Sequence, residues 1–338
     1  MTSRERVRRA VTFEHPDRVP RDLWTLPWAT DRYPEEIDAL EQEYPRDIGS
    51  APGMNSPSPR VRGETYAAGT YTDEWGCTFR NVQAGVHGEV GEPILPDLSD
   101  WRSIEPPYEI LPDDAASARD RVNRFCATDE RFLLSGCCAR PWERYQFIRG
   151  SQNALIDCID GGAGFRGLLG KIHAYYMKEL ELWAGTNVDA LFFMDDWGAQ
   201  HQLLIPPSLW REFFKPLYRD YCGLAHSFGK FIFMHSDGCI SEIYPDLVEI
   251  GVTAVNSQLF SMDMAELACA AKGRITFWGE IDRQRILIAE DPEEGRRAVR
   301  EVARHLYDPA GGVIAQFELG AGANPAVARA VFEEWTRF

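Results

Sequence analysis

Five short apolar runs in the second half of the chain each end on polar residues able to hold a metal or move a proton. They are Ala190–Met194 into Asp195 and Asp196, Phe231–Met234 into His235 and Asp237, and Thr253–Val255 into Asn256 and Gln258, followed by Ile275–Trp278 into Glu280 and Asp282, and Val313–Ala315 into Gln316 and Glu318. Runs this short fit buried strands of a parallel sheet. Segments of helical period separate them: Leu209–Phe228 after Pro207 and Ser208, Cys239–Ile250, Met264–Lys272 after Met262 and Asp263, and Asp291–Tyr307, with Asn324–Trp335 after the last run. Alternation of this kind predicts an α/β fold, a (β/α)8 TIM-type barrel, with its site at the carboxyl ends of the strands.

The first half keeps this rhythm less well. Thr2 and Ser3 start an amphipathic helix over Arg4–Phe13, whose arginines read as a solvated face, and Arg18–Trp24 alternates like a first strand. Residues 27 to about 115 are rich in Pro, Gly and aromatics and read as a long elaboration of loops and short strands on a single barrel domain spanning 1–338. An elaborated N-terminal segment of that length is expected to approach the mouth of the barrel. A further strand, Phe132–Leu134, runs into Ser135, Gly136, Cys137 and Cys138, and residues 141–184 are helical in pattern, punctuated by Gly161, Gly162 and Gly164.

Charge narrows the partners. A net charge of −16 argues against nucleic acid and anionic membrane surfaces, because phosphate binding needs a basic surface. The amino-terminal arginines are not followed by an apolar stretch, and no apolar run is long enough to span a bilayer, so neither a secretory signal nor a membrane anchor is expected. Eight cysteines without a CxxC pair read as reduced thiols of a cytoplasmic protein.

The sharpest local signal is His235-Ser236-Asp237-Gly238-Cys239. Residues i and i+2 of a strand share a face, so His235 and Asp237 are expected to point together into the mouth, with Cys239 just beyond. A nitrogen, a carboxylate and a thiolate suit zinc in a four-coordinate site with one open position; the alternative is a hydrogen-bonded His–Asp pair with no metal. Asp195 and Asp196 cannot face the same way, so Asp196 is assigned to the mouth and Asp195 to a cap. Glu280 with Asp282 and Gln316 with Glu318 repeat the i, i+2 spacing. Asp196, His235, Asp237, Glu280 and Asp282 are therefore the catalytic candidates. Trp197, Gln200, His201, Asn256, Gln258 and Gln316 are candidates for substrate contact, and His235, Asp237, Cys239 and Glu318 for metal. So many carboxylates at one rim would repel unless a proton, a metal or a cationic group sits among them.

Several stretches together resemble the uroporphyrinogen decarboxylase-like superfamily, and its corrinoid-dependent methyltransferase branch more than the decarboxylases proper. They are Thr2–Val7 through His15–Pro20, the Asp195–Gln200 segment, His235–Gly238, Phe277–Asp282 and the Asn324-Pro325 helix start. The resemblance implies a (β/α) barrel in which a metal-activated methyl donor meets the cobalt of a corrinoid borne on a partner protein. Members that methylate thiols carry a His-x-Cys zinc motif with a second Cys in the last strand-loop. The matching positions here read His235 and Asp237, and Gln316, Phe317 and Glu318, so the thiol-activating role is not expected; Cys239 and Glu318 stand as substitute ligands. The decarboxylases pair amino-terminal arginines near a Gln-Ala-Gly-Arg run that is missing around Arg18–Trp24. The expected activity is demethylation of a small methylated substrate, an O-methyl ether, with the methyl group passed to a corrinoid protein and zinc as the metal. Tetrapyrrole decarboxylation is the runner-up, and a non-catalytic module that binds a ligand or the corrinoid protein is the third reading.

Overall fold

Eight parallel strands form a nearly closed barrel in the computed structural model, which describes residues 1–338. They are β1 (Arg21–Thr25), β2 (Ile48–Ser50), β3 (Phe132–Leu134), β4 (Ala190–Met194), β5 (Phe231–Ser236), β6 (Ala254–Ser257), β7 (Thr276–Trp278) and β8 (Val313–Leu319). Their order round the sheet is β1-β8-β7-β6-β5-β4-β3-β2. At the seam between β2 and β1, the Asp47 N–H donates to the Arg21 carbonyl at 2.8 Å and the Arg21 N–H to the Asp47 carboxylate at 2.8 Å. The (β/α)8 expectation holds; β2 is the strand the sequence pattern did not mark.

Strand parity decides what enters the barrel. Phe231 and Phe233 of β5 point inward with Ala190, Ala254, Trp278 and Ile314 of neighbouring strands, and continuing the parity sends His235 and then Asp237 up into the mouth. Ile232 and Met234 point outward into the large core beneath the helices. Register sets the rim: His235 lies opposite Met194 and Asn256, and Trp24 opposite Glu318.

The helix Ser3–Thr12 closes the opposite end, with Val7 and Val11 packed into the barrel interior. Its arginines divide: the Arg8 and Arg9 side chains are exposed, as a solvated face requires, while Arg4 and Arg6 are drawn into ion pairs. Arg6 is buried and pairs with Asp47 at 2.6 Å and Asp17 at 2.6 Å, Arg4 reaches Asp189 at 3.0 Å, and Arg18 joins Asp47 at 2.7 Å. The periodicity placed the apolar face of the helix correctly, but the carboxylates that recruit its polar face come from loops far away in sequence.

Residues 27 to 115 supply two helices (Pro27–Arg32 and Pro34–Glu43), strand β2, and a three-stranded antiparallel sheet of Gly69–Thr72, Thr78–Asn81 and Glu89–Val90. Tyr66, Tyr71, Phe79 and His87 from this region line the mouth. The long segment Leu209–Phe228 is two helices, Pro207–Phe213 and Lys215–Ser227, divided just before Pro216, because proline cannot donate to the preceding turn. No helix is long and apolar enough to cross a membrane.

Candidate active site

A cavity of about 1150 Å³ opens at the carboxyl ends of the strands. His235, Asp237 and Asp196 meet on its floor, and their ligand-type atoms all lie within 4.8 Å of one another. Nε2 of His235 is 3.5 Å from Asp196 Oδ1 and 3.5 Å from Asp237 Oδ1. Below the ring, Nδ1 is 2.6 Å from Asn256 Oδ1. The Asn256 amide NH2 donates to the Trp278 carbonyl at 2.5 Å and to Gln316 Oε1 at 2.7 Å. With both donors spent, its oxygen faces His235, so Nδ1 carries a hydrogen and Nε2 is presented to the cavity. Trp24 packs on the imidazole with ring centroids 5.3 Å apart.

Burial pulls the His235 pKa down, but the Asp237 and Asp196 carboxylates and the Asn256 hydrogen bond outweigh it and leave the group above its ordinary value. Asp237 Oδ2 accepts from Arg283, while its Oδ1 is buried without a hydrogen-bond partner. Asp196 Oδ1 accepts the Asp237 N–H at 2.9 Å.

Arg283 is the cation that the crowded rim requires, and sequence reasoning did not single it out. It hydrogen-bonds both oxygens of Glu280 at 3.1 Å, pairs with Asp237, and approaches Glu318 at 3.6 Å. Burial still pushes Glu280 up to about 8 against that attraction, and it pushes Glu318 upward too. Glu318 lines the cavity; Glu280 sits behind Arg283 and does not. The signal for Arg283 was its place three residues after Glu280, a cation beside a rim that needed one.

The other sequence candidates are placed as follows. Asp282 turns away from the mouth and accepts the Gln284 and Arg285 N–H groups, capping the turn they form. Cys239 Sγ faces Ser241 Oγ at 3.7 Å and is outside the metal-type cluster, because its strand parity is broken by Gly238 with φ +76°. Trp197 is fully buried, stacked on Trp142, with its indole N–H donating to Tyr218. Gln258 accepts the Gly238 N–H at 3.1 Å, fixing the loop, and Asn256 and Gln316 lie beneath His235. Gln200 borders a separate minor cleft, and His201 is exposed and does not line the chamber.

Asp195 is a cap, though of an unexpected helix. Its carboxylate accepts the N–H groups of Trp142 at 2.9 Å and Glu143 at 2.8 Å, at the start of the helix Pro141–Arg149, and the Tyr218 hydroxyl at 2.6 Å.

The sequence profile of the uroporphyrinogen decarboxylase (URO-D) family matches residues 70–336. The chain belongs to that family. A methyltransferase from Methanosarcina mazei is similar in fold over 100% of this chain and 99% of its own, with a TM-score of 0.73 at 13% identity. A GH10 endoxylanase from a sugarcane soil metagenome (TM-score 0.37, 8% identity, 64% of this chain and 82% of that one) and a D-psicose 3-epimerase (0.33, 10%, 66% and 80%) share far less of the architecture. No curated protein matches the sequence.

Proposed function

We propose that this protein is a methyltransferase that takes the methyl group of a small O-methyl ether and passes it to a corrinoid held on a partner protein. The observation that carries the reading is the convergence of His235, Asp237 and Asp196 beside a chamber of about 1150 Å³. That volume exceeds the roughly 300–1,000 Å³ of ordinary small-molecule pockets. It leaves space for a donor and for an acceptor entering from outside. The full-length likeness in fold to a methyltransferase supports it.

The donor set fits zinc: an oriented imidazole nitrogen, a buried carboxylate oxygen without a partner, and a second carboxylate at the same point. Bound by His235, Asp237 and Asp196, with Glu318 on the adjoining wall, zinc supplies Lewis-acid stabilisation to the oxygen that loses its methyl group. The remaining work belongs to the chain itself. Asn256 keeps Nε2 aimed into the cavity, an arrangement that both orients and strengthens a ligand. Arg283 occupies one oxygen of Asp237 and leaves the other free. Trp24, Tyr66, Phe79 and Phe147 give the chamber aromatic walls suited to a methoxylated ring. In the transfer the methyl–oxygen bond breaks, its electron pair stays on oxygen, and the methyl carbon bonds to the two-electron nucleophile of the acceptor. Glu318, held above the ordinary carboxylate range by burial, lines the wall where the departing oxygen takes up a proton.

Tetrapyrrole decarboxylation is less well supported. Of the four arginines lining the chamber, Arg46 is engaged by Glu41 and the Leu23 carbonyl, Arg144 by Asp73 and Glu74, and Arg283 by Asp237 and Glu280. A substrate carrying several carboxylates needs several free cations.

Anaerobic incubation with reduced cobalamin and a panel of methoxylated aromatics tests the proposal. At least one donor is expected to shift the cobalt absorbance to that of the methylated form. Release of CO2 from uroporphyrinogen with no transfer across the panel points to the decarboxylase, and neither reaction points to a binding module.

A further inference from the structure

Arg140 differs from the other chamber arginines. Ala139 bridges Phe193 of β4, and its carbonyl accepts the Met194 N–H at 2.8 Å, so Arg140 is fixed beside the strand end that carries Asp196. The helix Pro141–Arg149 begins immediately after it. Its side chain, 30% exposed, lines the chamber, and its nearest acidic oxygen, Glu143 Oε2, is 3.9 Å away, beyond hydrogen-bond reach. That Glu143 oxygen is itself buried without a partner. Burial pushes Glu143 up to about 7 against the pull of Arg140, so near neutral pH it offsets the guanidinium only in part. The Cys138 thiol alongside is pushed up to about 12 by burial and stays neutral.

A guanidinium is a planar fork of five donors whose geometry matches a carboxylate. The same chamber holds Tyr66, Phe79, Phe147 and Met194 as apolar wall. We infer that Arg140 anchors a single carboxylate on the methyl donor, which makes the preferred substrate class a methoxylated aromatic acid. This rests on the reading of the chamber as the donor site. One guanidinium with no hydrogen-bonded acid of its own, only the looser 3.9 Å pairing to Glu143, matches one anionic group, which also separates this substrate from a polycarboxylate.

Calorimetric titration of the full chain with 2-, 3- and 4-methoxybenzoate and with the matching methoxybenzamides tests the assignment. At least one benzoate is expected to bind about 10- to 100-fold more tightly than its amide, the range for a hydrogen bond to a charged group. Arg140→Gln is expected to abolish that preference, and Arg140→Lys to keep only part of it because an ammonium cannot bind bidentately. Equal affinity for acid and amide, no binding of any benzoate, or an undiminished preference in Arg140→Gln overturns the inference. Should Arg140→Gln fail to fold by circular dichroism, Arg140→Lys decides, and an unchanged preference there counts against the anchor. Binding needs no corrinoid, so a tightly bound benzoate that transfers no methyl group would contradict the methyltransferase reading while leaving the anchor in place.

Discussion

Asp195 and Asp196 are adjacent yet do unrelated work, and strand parity is the reason. Asp195 points away from the mouth into a fully buried cap with three hydrogen bonds. Asp195→Ala would leave two backbone N–H groups of the helix Pro141–Arg149 and a tyrosine hydroxyl unsatisfied, so it is expected to lower stability by about 3 kcal/mol or more, read as a drop in denaturation midpoint. Asp196→Asn is nearly isosteric and should leave the melting temperature unchanged while weakening zinc binding at least about 10-fold and lowering turnover with it; full turnover would make this carboxylate structural. Asn256→Ala releases the imidazole and is expected to weaken zinc binding about 10- to 100-fold, measured against a competing chelator. Parity also explains what the sequence revealed here. His235 and Asp237 follow from an i, i+2 spacing at a strand end, whereas Arg283 sits in an irregular loop with no period to mark it, and the helix capped by Asp195 is set by a contact across 53 residues.

At the scale of elements, the amino-terminal helix shows how far amphipathicity reads. Its apolar stripe was legible; the fate of its arginines was not, because Asp47 and Asp189 arrive from other segments. Arg6→Ala removes one of two arginines paired with the fully buried Asp47, and Arg18 keeps the other pairing, so a loss of about 1–3 kcal/mol is expected in denaturant unfolding. Zinc binding at the far end of the barrel should be unchanged in the folded variant; loss of zinc with normal stability would contradict the closing role given to this helix. Strand β2, three residues long and containing Gly49, lies hidden inside a Pro- and Gly-rich stretch whose composition masks its pairing with β3. The later strands were legible because apolar runs of their length alternate with capped helices, such as the one where Asn324 accepts the Ala326 N–H at 3.0 Å.

For the whole molecule, buried acids set the response to pH. Burial pushes Glu143 and Glu179 up to about 7 and Glu280 up to about 8. Each keeps a proton in the fold that the unfolded chain sheds near pH ~4.3, so the folded state binds more protons through this range and stability falls as pH rises. His87 and His173, lowered by burial, act in the opposite sense, but their effect is complete once the unfolded imidazoles lose their protons near pH ~6.5. With chelator present, the melting temperature is therefore expected to fall between about pH 7 and pH 8.5, and Glu179→Gln should flatten the slope. A melting temperature that rises across this interval would show that these carboxyls ionise normally.

The most direct measurement is the rate of methyl transfer to reduced cobalamin as zinc is added back to metal-stripped protein. The parent is expected to gain rate until about one zinc per chain is bound, and His235→Ala to gain none. Full rate in the stripped parent, or equal rates in the parent and His235→Ala, would contradict the assignment of methyl transfer to the His235, Asp237 and Asp196 cluster.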